Sequence, residues 1–263
     1  MALHPTIFIS HGPPSIAVRE CAAAEFLREL GKQLPRPAAV ICVSAHWEAA
    51  WPLVSGTATP TTIHDFGGPP ALFRLCFPCP GAPELAERIE GMLTAAGVKA
   101  AVDPDRGLDH GAWVPLSLMY PAADIPVVQL SVQTALDPAH HFELGRILSP
   151  LRREGVLIMG SGGATHNLPE VSEYTVDAPP VDYAERFDDW LRKAILEGRT
   201  DAILDYKTLG PDAEKNHPYP AEHFLPLFVP FGAAGKAVPG RDLHRGFMYG
   251  VLSMAAYIWE GGD

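Results

Sequence analysis

Five short runs of almost unbroken apolar sequence constrain this chain more than any other feature. They are "TIFIS" (6–10), "AAVICVSA" (38–45), "PLVSG" (52–56), "PVVQLSV" (126–132) and "VLIMGSG" (156–162). A strand with one wet face alternates apolar and polar residues. These do not, so they suit central strands covered on both faces. Amphipathic stretches at 16–33, 84–96, 138–153 and 181–197 fall between and after them. Asp137-Pro138 and Pro179-Pro180 stand before the last two as helix entries. The alternation predicts an α/β fold, a central mostly parallel sheet flanked by helices. A length of 263 residues suits one such domain, and no repeat or Ser/Gly linker divides it, so residues 1–263 are expected to form a single domain.

In open α/β sheets, functional residues gather where strands end at their carboxyl edge. His11 follows "TIFIS", His46 follows "VICVSA", and His166 comes just after "VLIMGSGGA". One histidine after a strand is commonly a turn or capping residue. Three at the same edge point to a shared site, with Gly12 and two prolines shaping the turn that carries His11. "LDHGAWVPL" places His110 in a Gly-containing loop, and "NHPYPAEHFLPLF" places His217, Glu222 and His223 around a proline-rich turn. Imidazole is the commonest side-chain ligand of catalytic transition metals, often completed by a carboxylate. No H-E-x-x-H occurs among these histidines, and no C-x₂₋₄-C stands about twelve residues ahead of any pair of them, which excludes zincin and zinc-finger sites. The ligands would have to be brought together by the sheet.

Other motifs carry less. "GSGGA" (160–164) fits neither a phosphate loop nor a nucleophile elbow, so its glycines are read as letting backbone pass close to a site. "CFPC" (Cys76, Cys79) has no second C-x-x-C partner and is read as a plain turn, and Cys42 as a small buried hydrophobe. Trp47, Phe66 and Trp113 sit beside the histidines and suggest a flat apolar pocket. His64 is a candidate substrate contact, with Asp65 a turn cap, while His140 and His141 read as surface residues. A net charge of −11 would repel nucleic acid and anionic membranes. Absence of a leader-like start and of a long apolar span leads us to expect a cytoplasmic, reducing setting. Oligomeric state is left open.

Taken in order, "SHGPP", "SAHWE", "IHDFGG", "LDHGAWVPL", "GSGGATHNL" and "HPYPAEHFLPLF" resemble the class III extradiol ring-cleavage dioxygenases, in the 4,5-DOPA extradiol dioxygenase-like branch. The resemblance runs across nearly the whole chain. It implies one divalent metal held by His11, His46 and His223, with Glu222 as fallback third ligand because other class III relatives use a Glu. It also implies that His166 moves protons beside the metal and that His110 contacts substrate or dioxygen. Two departures stand out: "CFPCPG" replaces a tyrosine-containing "YPAPG"-like turn, and "SHGPP" replaces the commoner "GHGSP".

The expected reaction inserts O₂ into a small aromatic diol next to its hydroxyls, giving a semialdehyde. Fe(II) can pass electron density from a catecholate to dioxygen, whereas Zn(II) is redox-inert yet binds imidazoles more tightly and can occupy the same site. A zinc-dependent hydrolase on the same ligands, or a non-catalytic Memo-like metal-binding regulatory protein, are the competing expectations.

Overall fold

The computed structural model describes residues 3–261. Six strands precede the long carboxy-terminal helical region: β1 (Thr6–Ser10), β2 (Ala39–Glu48), β3 (Leu53–Ser55), β4 (Ala101–Asp103), β5 (Val127–Val132) and β6 (Val156–Gly162). Four follow it: β7 (Arg241–His244), β8 (Phe247–Met248), β9 (Leu252–Ser253) and β10 (Ala256–Trp259). Eight of them form one sheet in the order β4-β3-β5-β2-β6-β1-β10-β7. The centre, β5-β2-β6-β1, is parallel throughout, while β10 enters antiparallel to β1 and β3 antiparallel to β5.

Two-sided burial follows directly from the apolar runs. Phe8, Ile41, Val43, Val128, Leu130 and Ile158 point into one core cluster. Their immediate neighbours Ile7, Ile9, Val40, Cys42, Val127, Leu157 and Met159 point into the other. Successive strand residues alternate faces, so both faces must be covered by helices.

The covering helices are α1 (Ala22–Gln33), α2 (Pro83–Ala95), α3 (His110–Met119), α4 (Pro138–Leu148), α5 (Asp182–Leu196), the short α6 (Thr200–Leu204), α7 (Tyr206–Leu209) and α8 (Ala213–Asn216), and α9 (Phe228–Ala234). The four expected helices appear, although the first begins only at Ala22 and a 3₁₀ segment continues the stretch after α4. The Asp137 carboxylate caps α4 by accepting the His140 N–H, with Pro138 at the first position.

Two expectations are corrected. His110 does not sit in a loop but opens α3, capped by Asp109, whose carboxylate accepts the Ala112 N–H. The helix escaped notice because every residue but Ser117 is buried, which erases the amphipathic stripe, and because Pro115 lies inside it. His141 is buried rather than on the surface. Its Nδ1–H donates to the Asp137 carbonyl at 3.0 Å and its Nε2 accepts the Gln133 N–H at 3.1 Å. Among the described residues no helix is long and apolar enough to cross a membrane.

Candidate metal centre and its cavity

Because β1, β6 and β2 are adjacent and parallel, their carboxyl ends open on one side of the sheet. His11 leaves β1, His46 lies near the end of β2, and the turn after β6 carries His166. His110 comes from the first turn of α3, and His223 from the segment ahead of α9. That last segment reaches the site because β6 is glycine-rich. A Cβ on Gly162 would lie 2.0 Å from the His223 carbonyl, so only glycine lets this stretch lie on the sheet. The Gly163 N–H then donates to that same carbonyl at 2.8 Å. The glycines of "GSGGA" therefore do what their sequence context suggested.

The imidazoles converge closely. His46 Nε2 lies 3.1 Å from His11 Nε2 and 3.2 Å from His223 Nε2. Their other nitrogens are committed outward. The Ser161 hydroxyl donates to the Gly111 carbonyl, so its oxygen accepts from His11 Nδ1–H at 3.1 Å. His223 Nδ1–H donates to Glu222 Oε1 at 2.7 Å, and His46 Nδ1 faces Asp65 Oδ2 at 3.5 Å. His11 and His223 thus present Nε2 lone pairs to the centre, and His46 can donate at most one proton to them. A cation at that point satisfies all three. Nitrogens about 2.1 Å from one ion sit roughly 3.0–3.4 Å apart at octahedral to tetrahedral angles, which matches the observed spacing. The three imidazoles therefore fit a divalent metal, and Glu222 stands behind His223 rather than beside it.

Burial sets the electrostatics. The His11 and His223 rings are held well below the usual imidazole range, first by desolvation and then by neighbouring histidines. Burial likewise lowers His46 to about 4 and His166 to about 3. All are therefore neutral near pH 7, the form a metal requires. Asp65 behaves oppositely. Partial burial pushes its carboxyl up, but hydrogen bonds and charge from His110 prevail and hold it at about 2.

His166 packs beside the three converging nitrogens. It stacks on His223 with ring centroids 3.5 Å apart and planes within 8°. His110 donates Nδ1–H to Asp65 Oδ1 at 2.9 Å, and its ring lies 3.9 Å from that of His46. All five histidines line one cavity of about 380 Å³, together with Phe66.

Three expected substrate contacts do not. His64 turns its Nε2 to the Leu75 carbonyl at 2.9 Å. Trp113 is buried in α3 and donates Nε1–H to the Ile63 carbonyl. Trp47 is buried with the Arg106 guanidinium 4.9 Å over its ring. Of the aromatics beside histidines in sequence, Trp47 and Trp113 are thus core and only Phe66 lines the cavity among the described residues. His217 is also apart: its Nε2 contacts the Ala164 carbonyl.

Sequence reasoning missed a supporting layer. Asp65, read as a turn cap, accepts both the backbone N–H and the Nδ1–H of His110. Asp109 is fully buried and bonded to Ser44 Oγ at 2.6 Å, Arg106 Nη2 at 2.7 Å and Gln129 Nε2. This network fixes the first turn of α3, and so His110, against β2. The only hint was an acidic residue adjoining each of His64 and His110.

Partners that orient metal ligands typically matter ten- to a hundredfold in affinity. Ser161→Ala should therefore weaken metal binding by about that factor, as read by metal titration, and lower the melting temperature as well because the buried Gly111 carbonyl loses its donor. Acid should also destabilise the fold through two rings outside the converging set. Burial lowers His141 to about 4 and His217 to about 3. Between those values and the unfolded pKa near 6.5, only the unfolded chain binds these protons. Stability should fall as pH drops below 6.5, by at most about 1.4 kcal/mol per pH unit for each ring, and denaturant titrations across pH 4–7 measure it.

The fold and these residues define an α/β protein with a histidine-built candidate metal centre opening into a small-molecule cavity. The family profile described as the catalytic LigB subunit of aromatic ring-opening dioxygenase matches residues 4–258. The chain belongs to that LigB family. A 4,5-DOPA dioxygenase extradiol from Portulaca grandiflora is 44% identical over 258 residues, covering 96% of this chain and 94% of the relative. The protein of the same name from Escherichia coli is 37% identical, covering 95% and 92%. A crystal structure titled as an uncharacterized protein from Escherichia coli K12 superimposes with a TM-score of 0.79 at 33% identity, covering 97% of this chain and 99% of that one.

Proposed function

We propose that the whole chain acts as one catalytic domain that opens a catechol-type ring beside its hydroxyls, using O₂. The observation that carries this reading is the convergence of three imidazole Nε2 atoms at the floor of a cavity that also holds two further histidines. His11, His46 and His223 would hold the metal. Fe(II) bound there would supply a centre able to take up a catecholate and dioxygen together and pass electron density between them.

The chain's own residues do the rest. His166 is neutral near pH 7, so it can take the proton of a catechol hydroxyl and later return one to a leaving oxygen. Its stacking on His223 keeps it within reach of whatever His223 holds. His110, fixed through Nδ1 by Asp65, offers its other nitrogen to the cavity as a partner for dioxygen or developing charge. Phe66 forms part of the wall along which an aromatic ring can lie.

Anaerobic loading with Fe(II), followed by oxygen and a panel of catechols including DOPA, tests the reading. Oxygen uptake with a yellow product is expected for at least one catechol. No uptake with any of them would contradict it, and hydrolytic turnover by the zinc form without oxygen would favour a hydrolase instead.

A further inference from the structure

Apart from the histidines, side-chain donors that could meet a substrate are scarce in this cavity. Ser10, Thr165, Ser253 and Tyr249 bring hydroxyls to its wall, and among the described residues no Lys or Arg lines it. Three of those hydroxyls spend their proton inside the protein. Ser10 Oγ donates to the Ala255 carbonyl at 2.9 Å, Thr165 Oγ1 to the Val251 carbonyl at 2.8 Å, and Ser253 Oγ to the buried Asp188 at 2.5 Å. The Tyr249 hydroxyl has no partner among the described residues, and the residue is only half-buried. Uncommitted backbone N–H groups also belong to the lining, those of Gly12, Phe66, Gly67 and Thr165. They flank the histidines: Gly12 follows His11, Thr165 precedes His166, and Phe66 and Gly67 follow Asp65, which holds His110. These donors therefore serve the end where catechol oxygens and dioxygen would sit.

Tyr249 arrives by a different route. It opens the turn between β8 and β9, whose last pair is Met248 with Leu252. Its φ of 54° lies in the left-handed region, where a bulky side chain is an outlier and glycine or asparagine is usual. Around Gly250, with φ of 65°, the Val251 N–H folds back onto the Tyr249 carbonyl at 2.7 Å. The turn is also clamped from outside. The Tyr249 N–H donates to the Val176 carbonyl at 3.0 Å, and the Val181 N–H donates to the Gly250 carbonyl at 2.9 Å. An unfavourable backbone position held from two sides is the kind that fixes a side chain for function. Here that side chain carries the one uncommitted hydroxyl.

We infer that Tyr249 is a substrate-binding residue: its hydroxyl donates to the acceptor group, a carboxylate foremost, that ends the ring substituent opposite the catechol hydroxyls. The inference rests on the catechol reading above. A hydroxyl bonds an ionised acceptor more strongly than a neutral one. Because Tyr249 is half-buried, water can complete the shell of a carboxylate held there, so no buried cation is required. A site that hydrogen-bonds one group of a substrate discriminates strongly against the analogue lacking it.

The test compares 3-(3,4-dihydroxyphenyl)propionate with 4-methylcatechol on the iron-loaded wild type and Tyr249→Phe, which keeps the ring and removes the hydroxyl. The readouts are Kd from anaerobic calorimetric titration and the kinetics of oxygen uptake. Wild type should bind the acid more tightly than 4-methylcatechol. Y249F should raise Kd and KM for the acid about tenfold, leaving its kcat and the Kd of 4-methylcatechol within about twofold. An equal loss for both compounds, or an unchanged Kd for the acid, would overturn the inference. So would a wild type that binds the acid no better than 4-methylcatechol, a comparison that needs no variant. Should neither compound consume oxygen, the ring-cleavage reading fails instead, and the anaerobic Kd values still decide the role of Tyr249.

Discussion

Replacing His223 by alanine is expected to abolish stoichiometric metal binding and, with it, all ring cleavage. The neighbouring change Glu222→Gln should instead cost about ten- to a hundredfold in metal affinity. The contrast follows from the geometry. His223 Nε2 lies 3.2 Å from His46 Nε2, within the converging set, whereas the Glu222 carboxylate lies 2.7 Å from Nδ1 on the opposite side of the ring. A glutamine keeps an acceptor for Nδ1–H and loses only charge, so the ring remains oriented with a less basic Nε2. Metal content after dialysis, measured beside a melting curve to show that each variant is folded, separates the two roles. A His223→Ala protein that still held one metal per chain, with E222Q losing it, would make Glu222 the third ligand.

His166→Ala should behave differently again: full metal content, retained anaerobic catechol binding, and kcat lowered by about 10²–10⁴, the range typical of a lost general acid–base group. Stacking on His223 places the ring beside the centre. Burial, reinforced by His46 and His110, holds its pKa at about 3, so it stays neutral across the physiological range and open to accept a proton. Metal content falling in step with activity in H166A would show the residue to be a ligand.

The parts of the fold with a strong local signal were legible in the sequence. The two-sided apolar runs became β1, β2, β5 and β6 because nothing but a doubly covered sheet can bury them. His11, His46 and His166 could be placed at one edge for the same reason, since strand ends fix where following residues emerge. Elements whose pattern is erased by their surroundings were not legible. α3 is buried all round and contains a proline, and β10 is only four residues that pair with β1 from the far end of the chain. Local sequence cannot show pairings of that kind.

The site divides along the same line. Histidines announced themselves by type, but the residues that orient them did not. Asp65 looks like a turn residue until α3 brings His110 onto it, a partner 45 positions away. Ser161, in a loop that fits no nucleophile elbow, carries no assigned role until its hydroxyl is seen between His11 and the Gly111 carbonyl. Trp47, Trp113 and His64 erred the other way. His46, Asp65 and His110 nearby in sequence face the cavity, but the side chains of Trp47, Trp113 and His64 point to Arg106, the Ile63 carbonyl and the Leu75 carbonyl. Facing direction is a tertiary property, and it decides whether an aromatic residue is lining or core.

The central claim is that His11, His46 and His223 hold a metal at which dioxygen and a catechol meet. Single turnover of the iron-loaded protein in ¹⁸O₂, with mass spectrometry of the ring-opened product, tests it most directly. The account predicts that both labelled oxygen atoms enter one product molecule, and that none is formed by H11A, H46A or H223A. Product carrying no label, or formed equally well without oxygen, would contradict it.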